Sequence, residues 1–189
     1  MDTLKIIVKG YADQFAPERY KATSTTVLVN SNGKNVLIDP GLYPKDLKTA
    51  LAAKGLTLDD IDIVVSSHSH QDHVRNGKLF DKSKVLDVYS QKSIPEMIPG
   101  TNIQVVVTPG HVDKHVSFIV DTPDGKYAVA GDVFWWEDKQ EQKTDEKSLL
   151  SLVDPLAKDV ELLQNSRQKL LAMAGFIVPG HGDVFAAPR

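Results

Sequence analysis

The run His68-Ser69-His70-Gln71-Asp72-His73 places three imidazoles and a carboxylate within six residues, and it constrains this chain more than any other stretch. Without a unifying partner such a cluster must stay solvated, because charged imidazoles repel one another and a buried, unpaired carboxylate is costly. A divalent ion removes the conflict by accepting neutral imidazole nitrogens and carboxylate oxygens at about 2.0–2.2 Å. The bland alternative is a polar surface turn that happens to hold three histidines. The other histidines argue against it. Val106-Val107-Thr108-Pro109-Gly110-His111 is echoed by Phe176-Ile177-Val178-Pro179-Gly180-His181, each an apolar strand pattern, a Pro-Gly turn and a histidine, and only His115 stands apart.

The surrounding pattern alternates strands and helices. Segments 4–8, 25–29 and 35–38 are apolar and β-branched, and Asn30-Ser31-Asn32-Gly33 between the last two reads as a hairpin turn. After Asp39-Pro40-Gly41, residues 45–54 carry Leu47, Ala50 and Leu51 at helical spacing, and Gly55 ends the run. A short buried strand at 61–65 leads straight into Ser66-Ser67-His68, and further strands are expected at 84–89, 103–107, 116–121 and 127–130. Segment 137–147 reads as a solvated loop. A helix over 155–174, with Leu156, Val160, Leu163, Leu170 and Leu171 on one side, should precede a last strand at 176–178. The metal-binding side chains thus fall just past strand ends. With 189 residues, 41% of them apolar, and no Gly/Ser/Pro-rich linker, one α/β domain over 1–189 is expected.

The order His-x-His-x-Asp-His, then His111, Asp132 and His181, resembles the metallo-β-lactamase superfamily. The likeness spans most of the chain and implies a four-layer αβ/βα sandwich. It implies that His68, His70 and His111 hold one ion, that Asp72, His73 and His181 hold a second, and that Asp132 bridges them, with Asp72 and Asp132 also serving catalysis. The expected cofactors are two divalent transition-metal ions, zinc first and iron or manganese as alternatives. Two ions about 3.5–4 Å apart need a shared anionic ligand, and they acidify a shared water toward a pKa near 7, so that a bridging hydroxide attacks. Asp132 suits the shared position, because Gly131 before it lets backbone approach closely. By the same likeness Asp39 lies beneath the ions and orients a ligand imidazole, although a turn cap before Pro40 explains it equally well.

Departures from the pattern narrow the chemistry. No cysteine is present, which removes thiolate ligands, cysteine nucleophiles and disulfides, so that Asp72 with Asp132 matches the glyoxalase II and RNA-processing branches. Arg75 stands where many members have glycine, and it is expected near the mouth of the site to hold a carboxylate or phosphate, or else on an ordinary charged surface. His115 is expected in the pocket wall or behind the ligands. Trp135 and Trp136 are expected to pack rather than to stack on a base. Ala130-Gly131-Asp132-Val133-Phe134, Asp154-Pro155 and Asn165-Ser166-Arg167 extend the resemblance to a small branch, which implies an endoribonuclease of histone pre-mRNA 3′-end processing and a homodimer. A net charge of -3 and the lack of an aromatic-basic stripe sit poorly with a long RNA footprint. The alternatives are a glyoxalase II-like hydrolase of a small ester or thioester and, outside catalysis, a metal-stabilised binding or scaffold protein. No stretch is long and apolar enough to span a bilayer and no leader pattern opens the chain, so a soluble protein of the cytoplasm, with the nucleus as a second location, is expected.

Overall fold

The computed structural model describes residues 1–188. In chain order its strands are β1 (Thr3–Val8), β2 (Tyr11–Ala16), β3 (Arg19–Thr23), β4 (Thr26–Ser31) and β5 (Lys34–Ile38). Helix α1 (Pro44–Ala52), β6 (Ile63–Val65), the one-turn helix α2 (Gln71–Val74) and β7 (Val85–Leu86) follow. The second half holds β8 (Gln104–Val107), β9 (Val116–Thr122), β10 (Gly125–Trp135), α3 (Glu146–Leu150), α4 (Val160–Met173), β11 (Phe176–His181) and β12 (Phe185–Ala186).

Two five-stranded sheets carry the structure, ordered β1-β4-β5-β6-β7 and β12-β11-β10-β9-β8. Because side chains alternate between the faces of a strand, each sheet has an inner and an outer apolar face. Val27, Val29, Val36 and Ile38 point inward from the first sheet and meet Val105, Phe118, Val120 and Val129 of the second. On the outer face of the first sheet, Leu28, Leu37 and Val64 bury Leu47 and Leu51 of α1. On the outer face of the second, Val106, Ile119 and Ala128 pack with Leu163 and Leu170 of α4. The result is the expected helix-sheet-sheet-helix sandwich.

Several elements differ from expectation for local reasons. The late helix begins at Val160 rather than 155, because the Asp159 carboxylate accepts a hydrogen bond from Leu162 N (2.9 Å) and caps it there. Val160 is then exposed, and Ser166 and Arg167 take buried positions beside Leu163 and Leu170. The strand expected at 84–89 shrinks to Val85–Leu86, between a 3-10 turn over Lys82–Lys84 that Asp81 caps and a second turn in which Val88 N donates to the Leu86 carbonyl and Ser90 N to Asp87 Oδ1. Segment 137–147 ends in α3, capped by Asp145. The β2–β3 hairpin has no clear sequence signature, yet it forms one wall of the site described next. Among the described residues no helix is long and apolar enough to cross a membrane.

Candidate metal centre

Four strands deliver the side chains to one end of the sandwich. β6 runs out into His68 and the turn that holds His70, α2 carries Asp72 and His73, β8 is followed by His111, Asp132 lies within β10, and β11 ends on His181. The structure brings all seven together in two groups. His68, His70, His111 and Asp132 each offer a ligand atom within 4.8 Å of the others, and so do Asp72, His73 and His181.

Asp132 lies between the groups with its oxygens divided. Oδ2 faces His68 Nε2 (3.6 Å) and His111 Nε2 (3.3 Å), whereas Oδ1 faces His73 Nε2 (3.2 Å) and His181 Nε2 (3.6 Å). Across the second group, His181 Nε2 stands 3.2 Å from Asp72 Oδ2. A side chain on Gly180 would overlap Asp132 Oδ1, so the second Pro-Gly-His turn needs glycine to let the carboxylate sit there.

The outer ring nitrogens explain why the inner ones are available. His73 Nδ1 lies 2.9 Å from Asp39 Oδ2, His111 Nδ1 2.7 Å from Asp154 Oδ2, and His181 Nδ1 3.0 Å from the Tyr11 carbonyl. Each partner only accepts, so each Nδ1 carries the proton and each Nε2 turns a lone pair inward. Ser67 does the same for His68: its hydroxyl donates to Asp39 Oδ2 (2.9 Å) and is left to accept from His68 Nδ1 (3.0 Å). Asp39 holds this frame from a left-handed backbone at φ 51°, a conformation aspartate tolerates better than most residues. His70 is the exception, presenting Nδ1 toward His111 Nε2 (3.1 Å).

His115 is fully buried and stacks on His68, with ring centroids 5.0 Å apart, rather than facing the pocket. Asp132 N donates to its Nε2 (3.3 Å), so its proton is on Nδ1, which donates to Thr108 Oγ1 (2.9 Å). Thr108 and Ser117 share a hydrogen bond of 2.8 Å, and Ser117 donates to the Ala130 carbonyl (3.0 Å). This chain of donors has one direction, and it fixes the backbone of the residue that divides the two groups. Arg75 takes the second of its two expected places, on the charged surface: it is exposed, bonds Gln71 Oε1 at 3.5 Å and is not among the residues that line the pocket.

Charge follows the same geometry. Burial, with the neighbouring His73, holds His68 well below the usual histidine range, and burial carries His115 down to about 3. Burial also opposes protonation of His73, but the carboxylates of Asp132, Asp39 and Asp72 outweigh it and raise that ring well above the usual value. His111 is raised against the same burial penalty by Asp154 and Asp132. For Asp132 burial favours the acid, yet His73 and His181 hold it well below the usual carboxylate range. Protons and a divalent cation therefore compete for the same inner atoms.

The donor set fits two metal ions. His68 Nε2, His73 Nε2 and Asp132 Oδ1 are buried without a hydrogen-bond partner, a costly state that a cation held by each group would relieve. Ser67 and Asp154, the two residues that aim His68 and His111, carry no mark in the sequence that sets them apart from other polar residues. For Asp154→Asn, which keeps the shape and loses the charge behind His111, metal affinity or turnover is expected to fall about 10–100-fold with the circular dichroism unchanged. Titration of the metal-depleted variant checks this, and wild-type affinity together with wild-type turnover would show that Asp154 does not tune the centre.

A sandwich of two sheets between helices, with histidines and aspartates gathered at one end of its strands, defines the class, and the chain belongs to the metallo-β-lactamase superfamily, whose members are generally hydrolases. The family model described as Metallo-beta-lactamase superfamily matches residues 20–101. The chain is 30% identical to metallo-beta-lactamase domain-containing protein 1 of Xenopus laevis, over 97% of this chain and 81% of that one. It is 36% identical to the Mus musculus protein of the same name, over 88% of this chain and 66% of that one. A crystal structure of a metallo-beta-lactamase-type protein from Thermotoga maritima superposes with a TM-score of 0.72 at 20% identity, covering 98% of this chain and 99% of that one.

Proposed function

We propose that the chain is a metal-dependent hydrolase of small esters or thioesters that carry an apolar acyl group. The observation that carries this reading is the wall of the pocket over the metal centre. A cavity of about 350 Å³ opens on His70, Asp72, Asp132 and His181, and its other sides are Ala12, Tyr20, Ala22, Leu42, Trp135 and Leu156, together with Gln71. Among the described residues that line it there is no lysine or arginine. Such walls suit an apolar group placed beside a polar reacting centre. Phosphodiester substrates, in contrast, are held mainly by cationic side chains on their phosphates.

Two divalent ions, when bound, would acidify a shared water and polarise the attacked carbonyl oxygen. The chain's own contribution is to hold His68, His73, His111 and His181 with Nε2 turned inward and to divide the Asp132 carboxylate between the two groups. Tyr20 and Trp135, whose rings meet edge to face with centroids 5.5 Å apart, close one wall and exclude water from the reacting bond. Trp135 thus faces the pocket while Trp136 packs edge to face on Phe185. The endoribonuclease reading, with RNA as partner and a homodimer, rests on sequence likeness to a branch of the superfamily.

A panel of a short-chain acyl ester, the corresponding thioester, a lactam and a single-stranded RNA separates these readings, with Asp72→Ala as the control for contaminating enzymes. The ester or thioester is expected to be the best substrate and to lose turnover in Asp72→Ala. RNA cleavage that depends on Asp72 and outruns both esters would overturn the proposal.

A further inference from the structure

We infer, on the hydrolase reading given above, that Ala22 is the residue that sets how long an acyl group the pocket over the metal centre accepts. Strand geometry puts it in that place. Side chains alternate along β3, so Tyr20 and Ala22 share one face while Arg19 and Lys21 take the other. Tyr20 and Ala22 are half-buried and line the cavity, whereas Arg19 and Lys21 are exposed and do not. Across the hairpin Ala12 pairs with Ala22 and Gln14 with Tyr20, so the inner face passes from an alanine pair to the Tyr20 ring.

The alanine leaves space that a larger residue would take. At about 350 Å³ the cavity is near the lower end of the range for ligand sites, roughly 300–1,000 Å³, so each carbon added to its wall removes a sizeable part of it. Ala12 is buried behind the hairpin surface, and the other apolar walls, Leu42, Trp135 and Leu156, already carry large side chains. Ala22 is therefore the position where the wall stands furthest back from a bound chain.

The hairpin is also held too firmly to yield. It forms a two-stranded sheet of its own, yet it is fastened to the segment after β10 at two points. Ala12 N donates to Asp138 Oδ1 (3.1 Å) and Asp138 N to the Ala12 carbonyl (3.0 Å), and Tyr20 Oη donates to Glu137 Oε1 (3.0 Å). Just past β3, Ser24 N donates to the Asp72 carbonyl (3.1 Å), which ties the strand to the metal-binding turn. A larger side chain at position 22 thus takes its volume from the cavity, and the acyl group loses the room its last carbons would fill.

The measurement is the ratio of kcat/KM for a hexanoyl ester to that for the acetyl ester of the same alcohol, with metal-loaded protein. Wild type is expected to favour the hexanoyl ester. Ala22→Val, a residue that suits a strand, is expected to lower the ratio about fourfold or more, the worth of one buried methylene, and Ala22→Leu to lower it further, while turnover of the acetyl ester holds in both. Lys21→Leu, an apolar change on the opposite face of the same strand, is expected to leave the ratio as it is. Calorimetric titration with hexanoate and butanoate repeats the comparison with no bond hydrolysed, and Ala22→Leu should weaken hexanoate more than butanoate. A wild-type preference for the acetyl ester, a ratio that neither Ala22 variant moves, or one that Lys21→Leu moves as much would overturn the role of Ala22 and leave the hydrolase reading standing. Hexanoate binding that Ala22→Leu weakens, in a protein that turns over no ester, would do the reverse. If wild type neither turns over an ester nor binds hexanoate at millimolar concentration, both fail.

Discussion

Asp132→Ala is expected to abolish turnover and to reduce the metal content of purified protein from about two ions per chain to one or fewer. The reason is geometric. One carboxylate faces His68 and His111 with Oδ2 and His73 and His181 with Oδ1, and among the described residues no other carboxylate is shared between the two groups in this way. Residues that only orient a ligand cost about 10–100-fold when lost, and the loss here should exceed that range. Two measurements decide the matter: metal analysis after exhaustive dialysis, and turnover at saturating added metal. A variant that keeps two ions and wild-type turnover would sink the assignment of Asp132 as the shared ligand.

Gly110→Ala should have a large effect on stability, about 3–5 kcal/mol. Gly110 has a φ of 130°, a region that residues with side chains rarely adopt, and a Cβ there would overlap the backbone N and Cα of Leu163 in α4. Little room exists to yield, because Leu163 is buried and the Gly110 carbonyl accepts from both Lys158 N and Asp159 N at 2.9 Å. The helix and the turn that delivers His111 are locked together at this point. Urea denaturation measures the loss, and in a chain of this size the thermal midpoint should fall by roughly 10 °C. A change below about 1 kcal/mol would mean that α4 shifts freely against the turn, contrary to this packing.

The inner atoms of the centre were legible in the sequence because their residue types are distinctive and the apolar runs before them mark strand ends. Three imidazoles after one strand and a Pro-Gly-His turn after two others can be read without coordinates, and the sandwich follows from the same alternation. What surrounds those atoms could not be read in this way. Ser67, Asp154, Thr108 and Ser117 are ordinary polar residues, and they matter through contacts that fold closure creates. Asp154 lies 43 positions from the histidine it orients, and the Tyr11 carbonyl lies 170 from His181. Arg75 shows the converse: two positions from His73, it follows the helical turn outward into solvent. Arg167 is buried in α4, and the sequence does not show it, because burial of a cation on the inner side of a helix is set by packing that spacing alone does not reveal.

The composition of the two ligand groups has a consequence for the molecule as a whole. His68, His70, Asp72 and His73 hang from the first sheet, whereas His111, Asp132 and His181 belong to the second, and each group draws from both. An ion held by either group is thus a removable rivet between the halves of the sandwich, fastened where their strands end. Ions that bind only the closed form add to its stability in proportion to the logarithm of their free concentration. Stability of the folded chain would in that sense follow metal supply through the same side chains that are proposed to serve the chemistry.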